Sequence, residues 1–275
     1  MKVTKTAKLL VFTDLDGSLL DHETYSFSSA QSALDRLKSH HVPIILTTSK
    51  TYAEVVDLQK ELGINDPCIV ENGSAIYMGS SGFSQALAVG DAQIFGRSYQ
   101  SICTFIEQLP KNIRVSLTGF ADLSAQEVAQ VTGLPIEKAE KAKNRLASEP
   151  FQWTGAPEGL RELEKLLDGQ DMALLQGGRF YHIVSKVDKS LALDWLAKKA
   201  KSVYNAVDFH TVALGDGPND EKMIASADTG IVIANPDGVA LTIKGAFGKI
   251  KYPKAPGPAG WAQGMHELMD ELGLA

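Results

Sequence analysis

Four stretches of the chain end an apolar run in residues able to hold a cation or a phosphate. "LLVFTDLDGS" delivers Asp14 and Asp16, separated by one residue and followed at once by Gly17. "VPIILTTSK" ends in Thr48, Ser49 and Lys50, "CIVENG" in Glu71 and Asn72, and "TVALGDGPND" in Asp216, Asn219 and Asp220. Side chains alternate along a strand, so Asp14 and Asp16 are expected on one side of it, where they repel unless positive charge lies between them. A gathering of Asp14, Asp16, Asp216 and Asp220 calls for a hard cation, magnesium or calcium. An EF-hand does not fit, because its loop needs acids at alternate positions with glycine sixth, whereas Gly17 is fourth counting from Asp14. Magnesium, which keeps waters and shares its shell with phosphate, suits a small open cluster.

Taken singly, each feature has a plainer explanation. A "DG" or "NG" is usually a surface turn, Thr48 a strand former and Lys189 a solvated lysine at a helix end. The acids gain weight together, since each follows an apolar run that must end inside or at the rim of a core.

The elements that would position them alternate along the chain. Residues 8 to 13 and Val42 to Ser49 read as buried strands, separated by a helix with Ala30, Ala33, Leu34 and Leu37 on one face. A second helix follows with Val55, Val56, Leu58 and Leu62 on its face and Gly63 as its stop, then a strand at Cys68 to Val70. "DKSLALDWLAKKA" reads as a helix buried through Leu191, Leu193, Trp195 and Leu196, before a strand in "HTVALGDG", a helix in "NDEKMIASA" and a strand in "TGIVIAN". This order predicts an α/β fold with a Rossmann-like parallel sheet, which binds ligands at the carboxyl ends of its strands. Between Asp91 and Ser185 the texture changes. Two helix-and-strand runs, "SICTFIEQL" with "IRVSLTGF" and "LRELEKLLDGQ" with "MALLQGGRFYHIV", suit a one-sided antiparallel sheet. The expected division is a discontinuous core, residues 1–89 and 187–275, and an inserted α+β domain, residues 90–186.

Composition narrows the function. The net charge of −6 argues against a nucleic-acid binder. Leu9 to Phe12 is too short an apolar block for a signal peptide or a membrane span, and two unclustered cysteines, Cys68 and Cys103, fit a reducing compartment as small buried hydrophobes. A cytoplasmic protein is expected, without nucleic-acid or membrane partners.

"DLDGS", "LTTSK", "VDKSLAL" and "GDGPND" occur in the order of the four signature motifs of the haloacid dehalogenase superfamily of phosphohydrolases, and the chain resembles that superfamily. The insertion and "ENGSAI" are similar to the subfamily with an α/β cap. "TSKT", "NRLASEPFQW", "QGGRFYH" and "GPAGW" resemble the mannosyl-3-phosphoglycerate phosphatase group within it. Ser18 stands where the superfamily usually has threonine, and Thr48 where close relatives can have serine; both keep the hydroxyl.

The resemblance implies a mechanism. Asp14 is the expected nucleophile, forming an aspartyl-phosphate, and Asp16 the expected acid and then base. Magnesium is expected on the Asp14 carboxylate, the Asp16 carbonyl and the Asp216 carboxylate, with Asp220 a further ligand or an anchor of the shell. Thr48 and Lys189 would hold phosphoryl oxygens, aided by Asn219, Gly17, Ser49 and Lys50. Glu71, Asn72, Arg145, Ser148, Gln176, Gly177 and Arg179 are candidates for binding the rest of the substrate, the arginines because a planar charged fork suits a glycerate carboxylate. His182 either binds substrate or packs against the sheet. Trp261 either packs or closes a Pro/Gly-rich loop and stacks on a sugar. The expected substrate is a small phosphorylated sugar-glycerate, mannosyl or also glucosyl, handled by a monomer or weak homodimer. Another sugar-phosphate phosphatase or a phosphomannomutase-like phosphotransferase is the alternative; a receiver domain, small and capless, fits less well.

Overall fold

The computed structural model describes residues 8–87, 91–177, 180–204, 209–236 and 240–274. Strand β1 (Lys8–Thr13) is buried from Leu9 onward on both faces, Leu9 and Val11 packing into one apolar layer and Leu10 and Phe12 into the other. Such two-sided burial is why it reads as an unbroken apolar run. It pairs in parallel with β2 (Ile44–Thr47) and, from a point about 200 residues later in the sequence, with β10 (Phe209–Gly215). Beyond β10 lie β11 (Thr229–Val232) and β12 (Lys249–Lys251), and beyond β2 lies β3 (Cys68–Val70), all parallel. The chain then folds back as β4 (Ala75–Tyr77) and β5 (Ala92–Ile94), an antiparallel edge.

Helices cover both faces of this sheet. One layer holds α1 (Gln31–Ser39), α2 (Tyr52–Leu62) and α11 (Gly257–Glu271); the other holds α3 (Gly82–Leu87), α9 (Lys189–Val203) and α10 (Glu221–Ser226). Local sequence sets the ends of α2: Thr51 and Glu54 form a reciprocal capping box, and Gly63 closes the helix at φ +61°. None of the described helices is long and apolar enough to cross a membrane. Cys68 is buried, which pushes its thiol up to about 12, and Cys103 is half-buried.

The second sheet is built from the middle of the chain. Its order is β6 (Leu117–Gly119), β7 (Ser148–Trp153), β9 (Phe180–Ser185), β8 (Met172–Gly177), all antiparallel. Helices α4 (Tyr99–Glu107), α5 (Lys111–Arg114) and α8 (Pro157–Asp168) pack on one face through Ile102, Ile106, Ile113, Leu163 and Leu167. The one-sided sheet is as expected, with more in it. "IRVSLTGF" begins as α5, because Pro110 caps a helical turn that takes in Ile113 and Arg114. "MALLQGGRFYHIV" is two antiparallel strands, β8 and β9, and a helix pair, α6 (Ala125–Thr132) and α7 (Ile136–Lys143), precedes β7.

One further reading needs correction, and the open choice for Trp261 resolves to packing. Helix α9 is buried along Lys189, Ala192, Leu193, Leu196 and Ala200, a 3.6-residue stripe that leaves Leu191 40% exposed. The stripe starts on a lysine, which hydrophobicity alone does not pick out. Trp261 lies within α11, fully buried, donating from Nε1 to Thr13 Oγ1 at 2.8 Å. It packs and is unavailable to a sugar.

Candidate active site

The two acids of "DLDGS" sit just past the end of β1, not on it. Asp14 N donates to Leu214 O, and the chain then turns tightly, Gly17 N donating to the carbonyl of Leu20, three residues on, at 2.9 Å. Gly17 has φ +80°, and a Cβ there would lie 2.6 Å from Asp216 Oδ2. Only glycine allows the turn and the approach together. Leaving the strand separates the acids: each carboxylate has its own lysine, in place of one shared positive charge. Lys189 Nζ lies 2.5 Å from Asp14 Oδ1, and Lys50 Nζ 2.6 Å from Asp16 Oδ2. Asp16 Oδ1 is buried without a hydrogen-bond partner.

Lys189, 1% exposed at the start of α9, also binds Asp220 Oδ1 at 2.6 Å. Asp220 Oδ2 accepts from the amides of Asp216 and Gly217, so both of its oxygens are engaged. Asp220 thereby ties Lys189 to the 216–217 backbone. Asp216 is held by Ser18 Oγ on Oδ1 and Asn235 Nδ2 on Oδ2, at 2.9 and 2.7 Å. Asp14, Asp216 and Asp220 each offer an oxygen within 4.8 Å of the others. Burial, then the neighbouring Asp220, hold Asp14 well above the usual carboxylate range, and the same two causes raise Asp216. Burial opposes the charge on Lys189, yet Asp14 and Asp220 keep its proton on more firmly than usual. Three buried carboxylates against one ammonium leave a deficit of two positive charges, which a divalent cation on hard oxygen donors would meet. The residues therefore fit such an ion.

Around this centre the second and third strand ends are stitched together. Thr48, 1% exposed, accepts from Lys50 N on Oγ1, its carbonyl accepts from Asn72 N at 2.9 Å, and Lys50 O accepts from Glu71 N at 3.0 Å. Asn219 Nδ2 donates to Asn72 Oδ1, joining this pair to the fourth loop. Lys50 Nζ lies 5.6 Å from the ring centre of the exposed Tyr25. Glu71, Asn72 and Gly73 all have positive φ, of 50°, 57° and 97°. That sequence of left-handed residues turns the Glu71 side chain away from the carboxylates, where it accepts from Leu146 N, Ala147 N and Ser148 Oγ at 2.8, 3.0 and 2.6 Å.

On the inserted side, Arg145 Nη1 donates to Ser148 Oγ and to Ser49 O, and its Nε to Ala142 O. Strand β8, which ends in Gln176 and Gly177, packs against the 218–220 turn of the core. Arg179 lies outside the described residues. His182 is 8% exposed, with Nδ1 unpartnered.

A family model of haloacid dehalogenase-like hydrolases matches residues 11–242, from β1 past β11 and through every acid described above. The chain belongs to the haloacid dehalogenase-like hydrolases. A glucosyl-3-phosphoglycerate/mannosyl-3-phosphoglycerate phosphatase of Persephonella marina is 36% identical over 272 residues, 96% of this chain and 98% of that protein. A phosphatase of the same name from Methanococcoides burtonii is 35% identical over 273 residues, 95% of this chain and 97% of that one. A solved Thermoplasma acidophilum structure shares the fold, with a TM-score of 0.67 at 18% identity over 98% of this chain and 99% of its own.

Within this haloacid dehalogenase-like hydrolase, Asn235 was missed among the candidate residues although it orients Asp216. The signal was present, since "TGIVIAN" is another apolar run ending in a polar residue at the same sheet edge. Burial, with Arg145 nearby, pushes the His182 imidazole down to about 3 from its ordinary 6.5. The unfolded chain takes up that proton first, so His182 contributes stability that is lost as pH falls through the window from 6.5 towards 3. By pH 5 the loss is about 2 kcal/mol. Urea unfolding of the wild type and His182→Leu at pH 7 and pH 5 measures it; the substitution is expected to flatten the acid-side decline by that amount.

Proposed function

We propose that the protein is a magnesium-dependent phosphatase that releases inorganic phosphate from mannosyl-3-phosphoglycerate and glucosyl-3-phosphoglycerate. The observation that carries the chemistry is the separation of Asp14 from Asp16 onto different lysines, which gives two adjacent acids two different tasks. The substrate follows from near full-length similarity to phosphatases of that name.

Asp14 attacks phosphorus, forming an aspartyl-phosphate as the bond to the glycerate oxygen breaks. Asp16 gives its proton to that leaving oxygen, then takes one from the water that attacks the aspartyl-phosphate, freeing phosphate and Asp14. Lys189, Thr48 and Asn219 hold the phosphoryl oxygens in line. Lys50 and the amides after Gly17 add positive potential on the Asp16 side. The carboxylates of Asp14 and Asp216 and the carbonyl of Asp16 would hold magnesium, which supplies neutralisation of phosphoryl charge. Residues 1–89 and 187–275, joined by the edge strand β5 that pairs with β4, act as the catalytic core, and the remainder of residues 90–186 as the cap that reads the organic part. Arg145, Ser148 and His182, with Gln176, Gly177 and Arg179, form its glycerate side, Arg145 facing the carboxylate.

Phosphate release from the full chain with magnesium tests this. Either glycosyl-3-phosphoglycerate is expected to exceed simple hexose phosphates by at least about 100-fold in kcat/KM, about 2.7 kcal/mol. Chelation should remove the activity and magnesium restore it. A preference for hexose phosphates, or turnover only with a sugar bisphosphate activator, would replace the proposal with the sugar-phosphatase or mutase alternative.

A further inference from the structure

We infer that Glu71 is a positioning residue for anion recognition: it grips the 146–148 turn of the insert and so lays the Arg145 guanidinium across the catalytic edge, without itself touching substrate. The inference rests on the reading of Arg145 as the partner of the substrate carboxylate.

Glu71 is 1% exposed, and a carboxylate so deeply buried must be fully hydrogen-bonded. Its side chain finds those bonds across the junction, in residues 75 to 77 positions away: the amides of Leu146 and Ala147 and the hydroxyl of Ser148. An acid serving only its own sheet would be satisfied locally. The left-handed backbone at Glu71 points the same way, since a bulky residue holds that conformation only where surrounding contacts fix it.

What Glu71 holds is the segment carrying Arg145. Ser148 Oγ accepts from Arg145 Nη1 at 2.9 Å and donates to Glu71 Oε2 at 2.6 Å, so the hydroxyl relays the pairing of a buried cation with a buried anion. Arg145 Nη1 also reaches Ser49 O, and Glu71 N is bonded to Lys50 O, so both ends of the relay are fastened to the catalytic 48–50 loop. The guanidinium is committed through Nε and Nη1, and His182 Nδ1, unpartnered and buried, is on the same side of the insert. A fork fixed on one edge presents the other in a defined orientation, which bidentate recognition of a carboxylate requires.

The test compares two small phosphate esters that differ in the carboxylate: 3-phosphoglycerate and glycerol 3-phosphate, each as a competitor of p-nitrophenyl phosphate hydrolysis. Glu71→Gln keeps shape but places a donor where the turn also donates. It is expected to raise the Ki of 3-phosphoglycerate, relative to that of glycerol 3-phosphate, by about tenfold or more. Glu71→Gln combined with Arg145→Ala is expected to lose no more of this preference than Arg145→Ala alone, because the two act in series. Equal weakening of both esters would reduce Glu71 to local structure and overturn the inference. Additive losses would overturn it too, since Glu71 would then act independently of Arg145. If Arg145→Ala alone leaves the preference intact, the carboxylate reading of Arg145 fails first and takes this inference with it.

Discussion

Asp14→Asn is expected to lower turnover by at least ~10⁴-fold, about 5.4 kcal/mol of transition-state stabilisation, while the chain stays folded. An amide is close in shape to the carboxyl but is a poor nucleophile, and no neighbour is placed to substitute: Asp16 is held on Lys50, and both oxygens of Asp220 are engaged. The fold should tolerate the change because Lys189 keeps Asp220, and the amide oxygen can still accept from its ammonium. Burial and two neighbouring carboxylates already weigh against the charge of Asp14, so neutralising it relieves repulsion as it loses a pair. A stability change of about 1 kcal/mol or less is expected. Phosphate release and urea unfolding on the same preparation measure both. Substantial residual activity would remove Asp14 from the nucleophile's place.

Lys189→Met has the opposite balance, with turnover lost and the fold weakened as well. The methionine fills much the same space, but it leaves Asp14, Asp216 and Asp220 buried with no lysine among them. Breaking a buried pair in this way costs about 3–5 kcal/mol. The direction with pH is fixed by Asp14 and Asp216, whose folded values lie above their unfolded ones. The folded state therefore holds protons that the unfolded state has released, and stability falls as pH rises from about 3.8 upward. In Lys189→Met this decline should steepen, so its deficit in urea unfolding should be larger at pH 7 than at pH 5, and magnesium should recover part of it. A deficit independent of both pH and magnesium would mean that Lys189 matters for packing and not for charge.

What the sequence made legible follows from how the sheet is built. A strand buried on both faces must be apolar throughout, so the residue at which polarity resumes marks its carboxyl end; Asp14, Thr48, Glu71 and Asp216 were all found that way, and Asn235 obeys the same rule. Directions past the strand end are less readable. Asp16 turns to Lys50 because the chain leaves β1 at Asp14, and Glu71 turns to the insert because three successive residues take positive φ, which apolar patterning does not encode. Leu191 misled for a related reason: the buried stripe of α9 begins at Lys189, whose ammonium sinks between Asp14 and Asp220, and runs on through Ala192, Leu193 and Leu196, which leaves Leu191 off it. The insert was legible in outline only, since α6 and α7 bury little beyond Val128, Ala139 and Ala142 and so carry a weak apolar signal.

The parallel pairing of β1 with β10 has a consequence for how the molecule is made. Residues 8 to 13 find their register against residues 209 to 214, and Asp14 meets Asp216 and Lys189 only when that distant segment arrives. During synthesis the first strand must therefore wait, unpaired on that side, while the whole insert is produced and closes its own local antiparallel sheet. Long-range parallel pairing is slow and leaves apolar edges open. A growing chain thus carries Asp14 long before Lys189 and Asp216 are made, so the acid cluster is incomplete until most of the chain has emerged.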